Sequence, residues 1–297
     1  MNIFIKWKGE GALRSEKKYK VMKALNNNVI LAQELSEKKE MILIGKGIGY
    51  GKKESKIVSI SDDQVEKRFF KFNSKTKEKY LQLLEELEGE VIGVCEEIIS
   101  IAESRLGALD QYVHVVLTDH VGFAIERLKN GIEITNPFLY EIKSLYDEEF
   151  RIGKIGQKLI KDRMNIEIPD EEAGFIALHI HSAREKKNIK ETVKNTRLIS
   201  EIIEKIKVRL NVELKPDELA YHRLLNHVKA SIKRLETNRC IENPLIDTIK
   251  KDMKGSFNIA KEIGMHIKKN KNMEVPEGEL GYLSIHIERL KRVSKIT

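Results

Sequence analysis

Residues 136–150 read NPFLYEIKSLYDEEF, and residues 243–257 read NPLIDTIKKDMKGSF. The two segments lie 107 positions apart and share an Asn-Pro start, an Ile-Lys pair and a final Phe. The same offset, without a gap, pairs Arg127 with Arg234, Glu172 with Glu279, Gly174 with Gly281, His120 with His227 and His179 with His286. The sequence therefore predicts a tandem duplication.

The segments around these repeats have the period of α-helices. Apolar residues recur at the i, i+3, i+4 spacing, as at Leu84, Leu87, Val91, Val94, Ile98 and Ile101. Four of the five prolines lie at expected element boundaries, at Pro137, Pro169, Pro244 and Pro276. We expect two homologous all-α helical bundle domains over residues 74–186 and 192–297, joined by a charged linker over 185–195.

The preceding residues 20–73 have a different pattern, which predicts a small all-β antiparallel domain. Two short apolar runs, 29–32 and 41–44, are separated by a charged turn, which is typical of a hairpin. A further strand is expected over 67–72. One thin sheet buries only a marginal core, so we expect this unit to dimerise, sheet against sheet.

Positive charge is concentrated at the start of the chain. Residues 1–73 hold 16 Lys and Arg against 9 Asp and Glu, whereas the remaining residues hold 38 against 37. This asymmetry favours a polyanion-binding module, although a solvated lysine-rich surface is the alternative. Residues 1–19 show little pattern and are interpreted as an N-terminal extension. There is no apolar run of about 18 residues, so no membrane insertion is expected, and two cysteines without a framework favour a cytoplasmic protein.

The loop over residues 45–53 reads GKGIGYGKK. Its G-x-G-x-G spacing is a weak dinucleotide signal, because no helix pattern or βαβ unit accompanies it. A plain turn is also possible. Glycines allow close backbone approach, lysines meet phosphates, and a tyrosine can stack on an unpaired base, so the loop favours nucleic-acid binding. The nearby run Asn26-Asn27-Asn28 could form turns or contact base edges.

The repeated histidines have several possible roles. His179 and His181 form an HxH pair, but on a helix they point about 200° apart, so they cannot chelate one ion unless the segment is a strand. The chain lacks HExxH and GxSxG motifs, so we expect no metal site, no cofactor, no catalytic residues and no enzyme activity. A core role remains open.

Modification of the imidazole is the remaining role for the repeated histidines. A neutral histidine can accept a phosphoryl group near pH 7. Asp119 could orient His120, and Arg127 and Arg234 could meet the phosphate.

The chain resembles the BglG/SacY-type transcriptional antiterminators over about residues 20–297. The resemblance is carried by the asparagine run, the GKGIGYGKK loop, and the strings Leu117-Thr118-Asp119-His120, Gly174-Phe175-Ile176-Ala177-Leu178-His179 and Ile285-His286-Ile287-Glu288-Arg289-Leu290. The string ALHIHSA at 177–183 looks most like the glucose-responsive branch.

The resemblance implies a co-antiterminator RNA-binding domain over residues 20–73, followed by two PTS-regulation domains. Such proteins hold an RNA hairpin in a leader transcript and prevent termination upstream of sugar-transport genes. By position, the RNA contacts would be Lys23, Asn28, Gly45, Lys46, Gly47 and Tyr50. Family members often have Arg at the position of Lys46 and Phe at the position of Tyr50. The lysine would lose the bidentate hydrogen bonding of an arginine.

The resemblance also implies phosphorylation of His120, His179, His227 and His286 by an enzyme II and the phosphocarrier protein HPr of the sugar phosphotransferase system, and a homodimer. Asn226 stands where Asp119 stands in the first copy, so we expect the second copy to lack an orienting carboxylate. The alternative function is a sugar-responsive regulator that binds DNA. The sequence shows no helix-turn-helix pattern ahead of the repeats.

Overall fold

A computed structural model describes residues 16–70, 74–213 and 219–293. Most of the expected N-terminal extension, residues 1–15, and the end of the last expected strand, residues 71 and 72, lie outside the described residues.

A five-stranded antiparallel sheet opens the described chain, in the order β4-β1-β2-β3-β5. The strands are β1 (Glu16–Asn26), β2 (Val29–Glu34), β3 (Lys39–Ile44), β4 (Ile57–Ser61) and β5 (Lys67–Phe70). β2 and β3 form the expected hairpin, with Val29 opposite Ile44 and Ala32 opposite Met41. The expected all-β antiparallel fold of this region is confirmed.

Two strands of the sheet, β1 and β4, were not predicted from the sequence. β1 begins at Glu16, inside the segment interpreted as an extension, because Glu16 to Lys20 pair with β4. In β1 the side chains of Tyr19 and Val21 are buried, while those of Lys18 and Lys20, which alternate with them, are exposed. This alternation is that of a strand with one face in a core.

Both faces of the sheet are covered within this one chain, so β2 and β3 are continuous apolar runs and not alternating ones. One face forms a core of Tyr19, Val21, Ile30, Ala32, Met41, Leu43, Ile48 and Ile60. The other face packs Leu25, Val29, Leu31, Ile42 and Ile44 against Tyr80, Leu83, Leu84, Ile92 and Val115 of the first three helices. The expected pairing of this sheet with the sheet of a second copy stays a prediction.

Eleven α-helices follow in the described residues. They are α1 (Ser74–Glu86), α2 (Gly89–Leu106), α3 (Val113–Lys129), α4 (Leu139–Leu145), α5 (Asp147–Met164), α6 (Asp170–Arg184), α7 (Ile189–Leu210), α8 (Leu219–Glu236), α9 (Ile246–Asp252), α10 (Lys254–Lys271) and α11 (Glu277–Val293). Shifted by 107 positions, α4, α5 and α6 coincide with α9, α10 and α11 at their first residues. The expected duplication of an all-α domain is confirmed.

The shared Asn-Pro motif has the same local function in both copies. Asn136 Oδ1 accepts a hydrogen bond from the backbone N–H of Phe138 at 3.1 Å, and Asn243 Oδ1 accepts one from Leu245 at 3.0 Å. An asparagine that bonds the backbone two residues further on forms a turn. The motif therefore sets the entrance to α4 and to α9.

The segment expected to be a linker, 185–195, is partly helical, because α7 begins at Ile189. Asn188 caps this helix by accepting a hydrogen bond from the backbone N–H of Lys190 at 2.9 Å. Thr192 and Thr196 are the buried residues of its first two turns, and the apolar buried residues begin only at Leu198. The hydroxyl groups of both threonines are hydrogen-bonded, so these first turns show no apolar period in the sequence.

The chain divides into two compact units that do not coincide with the repeats. The first contains residues 1–133 and 155–168, and the second contains 134–154 and 169–297. The core of the second unit runs through α4, α6, α7, α8, α9, α10 and α11. The sheet belongs to the first unit.

Candidate nucleic-acid interface and histidine sites

The asparagine run and the glycine-rich loop lie against each other at one end of the sheet. The backbone N–H of Gly45 donates to Asn28 O at 3.0 Å, and that of Gly49 donates to Asn27 O at 3.0 Å. Asn28 Oδ1 also accepts from the backbone N–H of Gly47 at 3.0 Å. Three of the residues expected to contact RNA, namely Asn28, Gly45 and Gly47, are thus brought together.

The loop presents its charged and aromatic side chains outward. Gly47 has φ +70°, a left-handed conformation that glycine adopts without steric cost. Lys46 is exposed, and Tyr50 is 75% exposed. Between them Ile48 is buried in the sheet core and anchors the loop. The arrangement holds a lysine and a tyrosine in water above a fixed backbone, as binding of a single-stranded nucleic acid requires.

A carboxylate of α2 also meets this end of the sheet. Glu97 Oε1 accepts from Asn26 Nδ2 at 2.9 Å, and Glu97 Oε2 accepts from Asn28 Nδ2 at 3.3 Å. Arg163 Nη2 donates to Glu97 Oε2 at 3.2 Å. Lys23, another expected RNA contact, donates through Nζ to the carbonyl of Leu84 in α1.

The two histidines of the first copy belong to different compact units. His120 is half-buried on α3, and Asp119 beside it is exposed. Consecutive positions on a helix point about 100° apart, so the side chains of Asp119 and His120 leave α3 in different directions. His179 is buried on α6.

His181, the second histidine of the HxH pair, has a different environment from His179. Its Nδ1 lies 3.0 Å from Glu149 Oε1, and its ring lies against that of Tyr146 with centroids 4.1 Å apart and planes 35° from parallel. Arg184 also donates to Glu149 Oε1, at 3.2 Å. Hydrogen bonds from His181 and Arg184 outweigh the effect of burial, so the pKa of Glu149 lies below its usual value. Because α6 is a helix, the HxH pair does not converge on one point.

The two histidines of the second copy are in direct contact. The rings of His227 and His286 stack with centroids 3.4 Å apart and planes 22° from parallel. Burial, with the nearby charges of His227 and Arg289, lowers the pKa of His286 to about 4. Burial and Arg234 lower the pKa of His227. Both rings are therefore uncharged at neutral pH, which is the nucleophilic form of imidazole.

The arginine expected to meet a phosphate in the second copy is already paired. Arg234 donates to Glu279 through Nε at 2.7 Å and through Nη2 at 2.6 Å. Burial raises the pKa of Glu279, but the hydrogen bonds from Arg234 and Ser231 outweigh it and hold that pKa below its usual value. In the first copy Arg127 donates to the carbonyl of Glu133 at 3.0 Å.

Neither a metal-binding cluster nor a membrane-spanning helix is found among the described residues. Within residues 16–70, 74–213 and 219–293, no three His, Cys, Asp or Glu side chains are grouped so that they could hold a metal ion. In the same part of the chain, no helix has the length and hydropathy needed to cross a membrane.

Comparison with known proteins gives matches over nearly the whole chain. The CAT RNA binding domain matches residues 19–78, and the PRD domain matches twice, at residues 96–183 and 200–290. The transcription antiterminator LicT of Bacillus subtilis is 34% identical over 275 residues, which cover 91% of this chain and 98% of LicT. The chain belongs to the family of CAT- and PRD-domain transcription antiterminators.

Other members of this antiterminator family are similarly close. The beta-glucoside operon antiterminator of Dickeya chrysanthemi is 32% identical, with 92% of this chain and 96% of that protein covered. Protein GlcT of Staphylococcus epidermidis is 36% identical, with 92% and 97% covered. A crystal structure of GlcT CAT-PRDI has 38% identity and a TM-score of 0.46, and the alignment covers 56% of this chain and 98% of that one.

The matched regions include the candidate sites of this antiterminator. The CAT region spans β2 to β5, the asparagine run and the glycine-rich loop, and each PRD region contains two of the four repeated histidines. Sequence reasoning did not find Glu97 as part of the first site or Glu149 as the neighbour of His181. Glu97 stands 69 positions from Asn28, and no local pattern connects the two.

Proposed function

We propose that this chain binds an RNA hairpin in a nascent leader transcript, in the cytoplasm, and thereby prevents a terminator from forming upstream of sugar-transport genes. It acts as a binding and switch protein and not as an enzyme. One observation carries the proposal: within the region that matches the CAT RNA binding domain, Asn28, Gly45 and Gly47 are joined by hydrogen bonds below the exposed Tyr50.

The proposed RNA contacts are Lys23, Asn28, Gly45, Lys46, Gly47 and Tyr50, in a domain over residues 20–73. Support comes from the excess of positive charge in the first 73 residues. Phosphate contacts of lysines release counterions, so affinity should fall steeply as salt rises. A DNA-binding output has less support, because residues 16–70 form five strands and a short 3-10 helix, without a pair of helices that could enter a groove.

The experiment uses RNA stem-loops selected in vitro against the full chain from a library randomised at its unpaired positions. Tyr50→Ala should weaken binding of a selected hairpin by about tenfold to a hundredfold, because base stacking contributes about 1–3 kcal/mol per base. Tyr50→Phe keeps the ring and is the matched control, so it should bind like the wild type. Equal losses in the two variants would mean that the hydroxyl and not the ring makes the contact.

The switch in this proposal is phosphorylation of histidine by proteins of the sugar phosphotransferase system. The acceptors would be His120 and His179 in a first regulatory domain over residues 74–186, and His227 and His286 in a second over 192–297. Support in the second domain comes from the lowered pKa values of His227 and His286, which leave both rings neutral at pH 7. An enzyme II would act on the first domain, with a negative effect, and HPr on the second.

The proposed active form is a homodimer. A phosphoryl group adds about −1.5 to −2 charges at pH 7, enough to favour one packing over another. Phe123, which is 60% exposed on α3 one turn beyond His120, offers apolar surface next to the proposed modification site.

Replacing His120 and His179 together by Asp should disperse the dimer and silence a reporter, whereas replacing both by Ala should leave the reporter active without sugar. Sedimentation and reporter activity measure the two effects. The same behaviour of both double variants would contradict the switch.

A further inference from the structure

The carboxylate of Glu97 occupies hydrogen-bond donors that belong to the proposed RNA site. Its two oxygens accept from Asn26 Nδ2 at 2.9 Å and from Asn28 Nδ2 at 3.3 Å. We infer that Glu97 is an internal competitor of the RNA: α2 of the first PRD region closes the site, and a bound hairpin must displace this carboxylate from the two asparagines.

The hydrogen bonding of Asn28 explains why the two occupants exclude each other. Asn28 Oδ1 accepts from Gly47, so the orientation of the amide is fixed. Its Nδ2 group is then the donor that can reach an acceptor on a base or a phosphate, and it points to Glu97. A carboxylate at this position also repels the phosphates of an approaching RNA. The same residue thus withholds a donor and adds an unfavourable charge.

The contact of Glu97 with the two asparagines is set by the close packing of α2 against the end of the sheet. Gly93 lies one turn before Glu97, and a Cβ at Gly93 would stand 2.3 Å from Asn26 Nδ2. Any larger residue at position 93 would therefore displace the side chain of Asn26. The side chain of Glu97 is 12% exposed. Lys23, another proposed RNA contact, also bonds to a helix, since its Nζ donates to the carbonyl of Leu84 in α1.

Arg163 keeps the Glu97 carboxylate paired when it separates from the two asparagines. It donates to Glu97 Oε2 at 3.2 Å and comes from α5, not from the sheet. When the asparagines turn to RNA, Glu97 keeps this cationic neighbour and is not left as an unpaired charge. The competition is therefore reversible, and RNA binding is linked to the contact between the sheet and α2.

This inference rests on the proposed RNA-binding function. The test measures the Kd of the full chain for the selected stem-loop described above, at one fixed salt concentration. Glu97→Gln keeps the shape of the side chain, removes its charge and turns an amide towards the donor of Asn28. Because hydrogen bonds to a charged group are stronger than neutral ones, we expect binding about five- to tenfold tighter than in the wild type.

A matched control removes the same charge from the same helix. Glu103, also on α2, pairs with Lys67 at 3.1 Å and does not contact the asparagines. Glu103→Gln should change the Kd less than about twofold, because a general loss of negative charge acts only through screened long-range forces. Asn28→Ala should abolish the gain when it is combined with Glu97→Gln. Circular dichroism and melting temperature confirm that each variant is folded, and Glu97→Ala serves as a second variant with the same expected direction.

Each outcome decides the inference. Tighter binding by Glu97→Gln, without a change in Glu103→Gln, supports it. Equal or weaker binding by Glu97→Gln would show that Glu97 orients Asn28 or only packs the interface. Equally tighter binding by Glu97→Gln and Glu103→Gln would show that the gain in affinity comes only from the change in net charge. If the wild type binds a selected hairpin and Asn28→Ala loses it, while Glu97→Gln gains nothing, the inference fails alone. If the wild type selects no hairpin, the proposed function fails and the inference fails with it.

Discussion

The two copies of the repeat share the same helical framework and differ in one polar pair that joins their last two helices. Both copies enter the α4 or α9 helix through an asparagine turn, and both join that helix to the last helix of the copy by an ion pair. The pairs are Lys143 with Asp170 at 3.1 Å and Lys250 with Glu277 at 2.7 Å. The backbone frame is therefore fixed by short polar contacts that survive at equivalent positions.

A second pair of equivalent positions has changed its chemistry completely. In the first copy Glu149 on α5 meets His181 on α6 at 3.0 Å. In the second copy the corresponding residues are Ser256 on α10 and Glu288 on α11, which meet at 2.7 Å. The carboxylate has moved to the opposite helix while the contact has been kept. The comparison teaches that these positions hold two helices together, and that His181 is needed as the neighbour of Glu149.

Introducing the pair of Ser256 and Glu288 at the equivalent positions of the first copy should have the largest effect on the free energy of unfolding. His181→Glu alone places two carboxylates against each other in a half-buried site, and we expect it to lower the free energy of unfolding by about 3 kcal/mol. Adding Glu149→Ser recreates the contact of Ser256 with Glu288 and should restore stability to within about 1 kcal/mol of the wild type. Urea denaturation measures both. A double variant as unstable as His181→Glu would show that the two contacts are not equivalent.

Replacing the asparagine of either turn should lower the free energy of unfolding by a smaller amount, and by more in the first copy than in the second. Asn136 uses both ends of its amide, because its Nδ2 donates to the carbonyl of Glu171 at 3.2 Å. The Nδ2 of Asn243 is buried and has no hydrogen-bond partner among the described residues. We expect Asn136→Ala to cost about 2 kcal/mol and Asn243→Ala about 1 kcal/mol, since each hydrogen bond contributes about 1 kcal/mol. Equal losses in urea denaturation would mean that the bond to Glu171 adds nothing.

The stacked histidines of the second copy should make the free energy of unfolding depend on pH, and this is the smallest of the three effects. The pKa of His286 is about 4 in the folded chain and about 6.5 when unfolded. A lowered folded pKa contributes stability that is complete above about pH 6.5 and is lost as the pH falls towards 4. Because the ring is only half-buried, we expect a loss of about 1 kcal/mol between pH 7.5 and 5.5.

The control for the stacked pair is His286→Gln, which should lack this part of the pH dependence when its unfolding free energy is measured at the same two pH values. An unchanged pH dependence in that variant would show that the stacked pair stays solvated and does not resist protonation.

Much of the scaffold could be predicted from the sequence. The offset of 107 positions predicted the duplication, and the apolar runs predicted the hairpin of β2 and β3. β1 was missed although Tyr19 and Val21 alternate with lysines, because the lysine-rich segment reads first as a solvated surface. The start of α7 was missed because hydroxyl groups, at Thr192 and Thr196, fill its buried positions. A strand or helix that buries polar groups through hydrogen bonds leaves no hydrophobic period.

The candidate site was predictable only in its local part. The asparagine run and the glycine-rich loop are each short strings whose chemistry can be read directly, and the structure joins them by hydrogen bonds. The contact of Glu97 with Asn28 depends on how α2 packs against the sheet, which no string of residues records. The stacking of His227 on His286 likewise depends on the packing of α8 against α11.

We propose that the face formed by Asn28, the glycine-rich loop and Tyr50 holds an RNA hairpin and thereby suppresses termination. Single-round transcription tests it most directly, on a template in which the selected hairpin overlaps an intrinsic terminator. We predict that the unphosphorylated wild-type chain increases full-length transcript, that Tyr50→Phe does the same, and that Tyr50→Ala leaves termination at the level without protein. No increase with the wild type, or the same increase with Tyr50→Ala, would contradict the account.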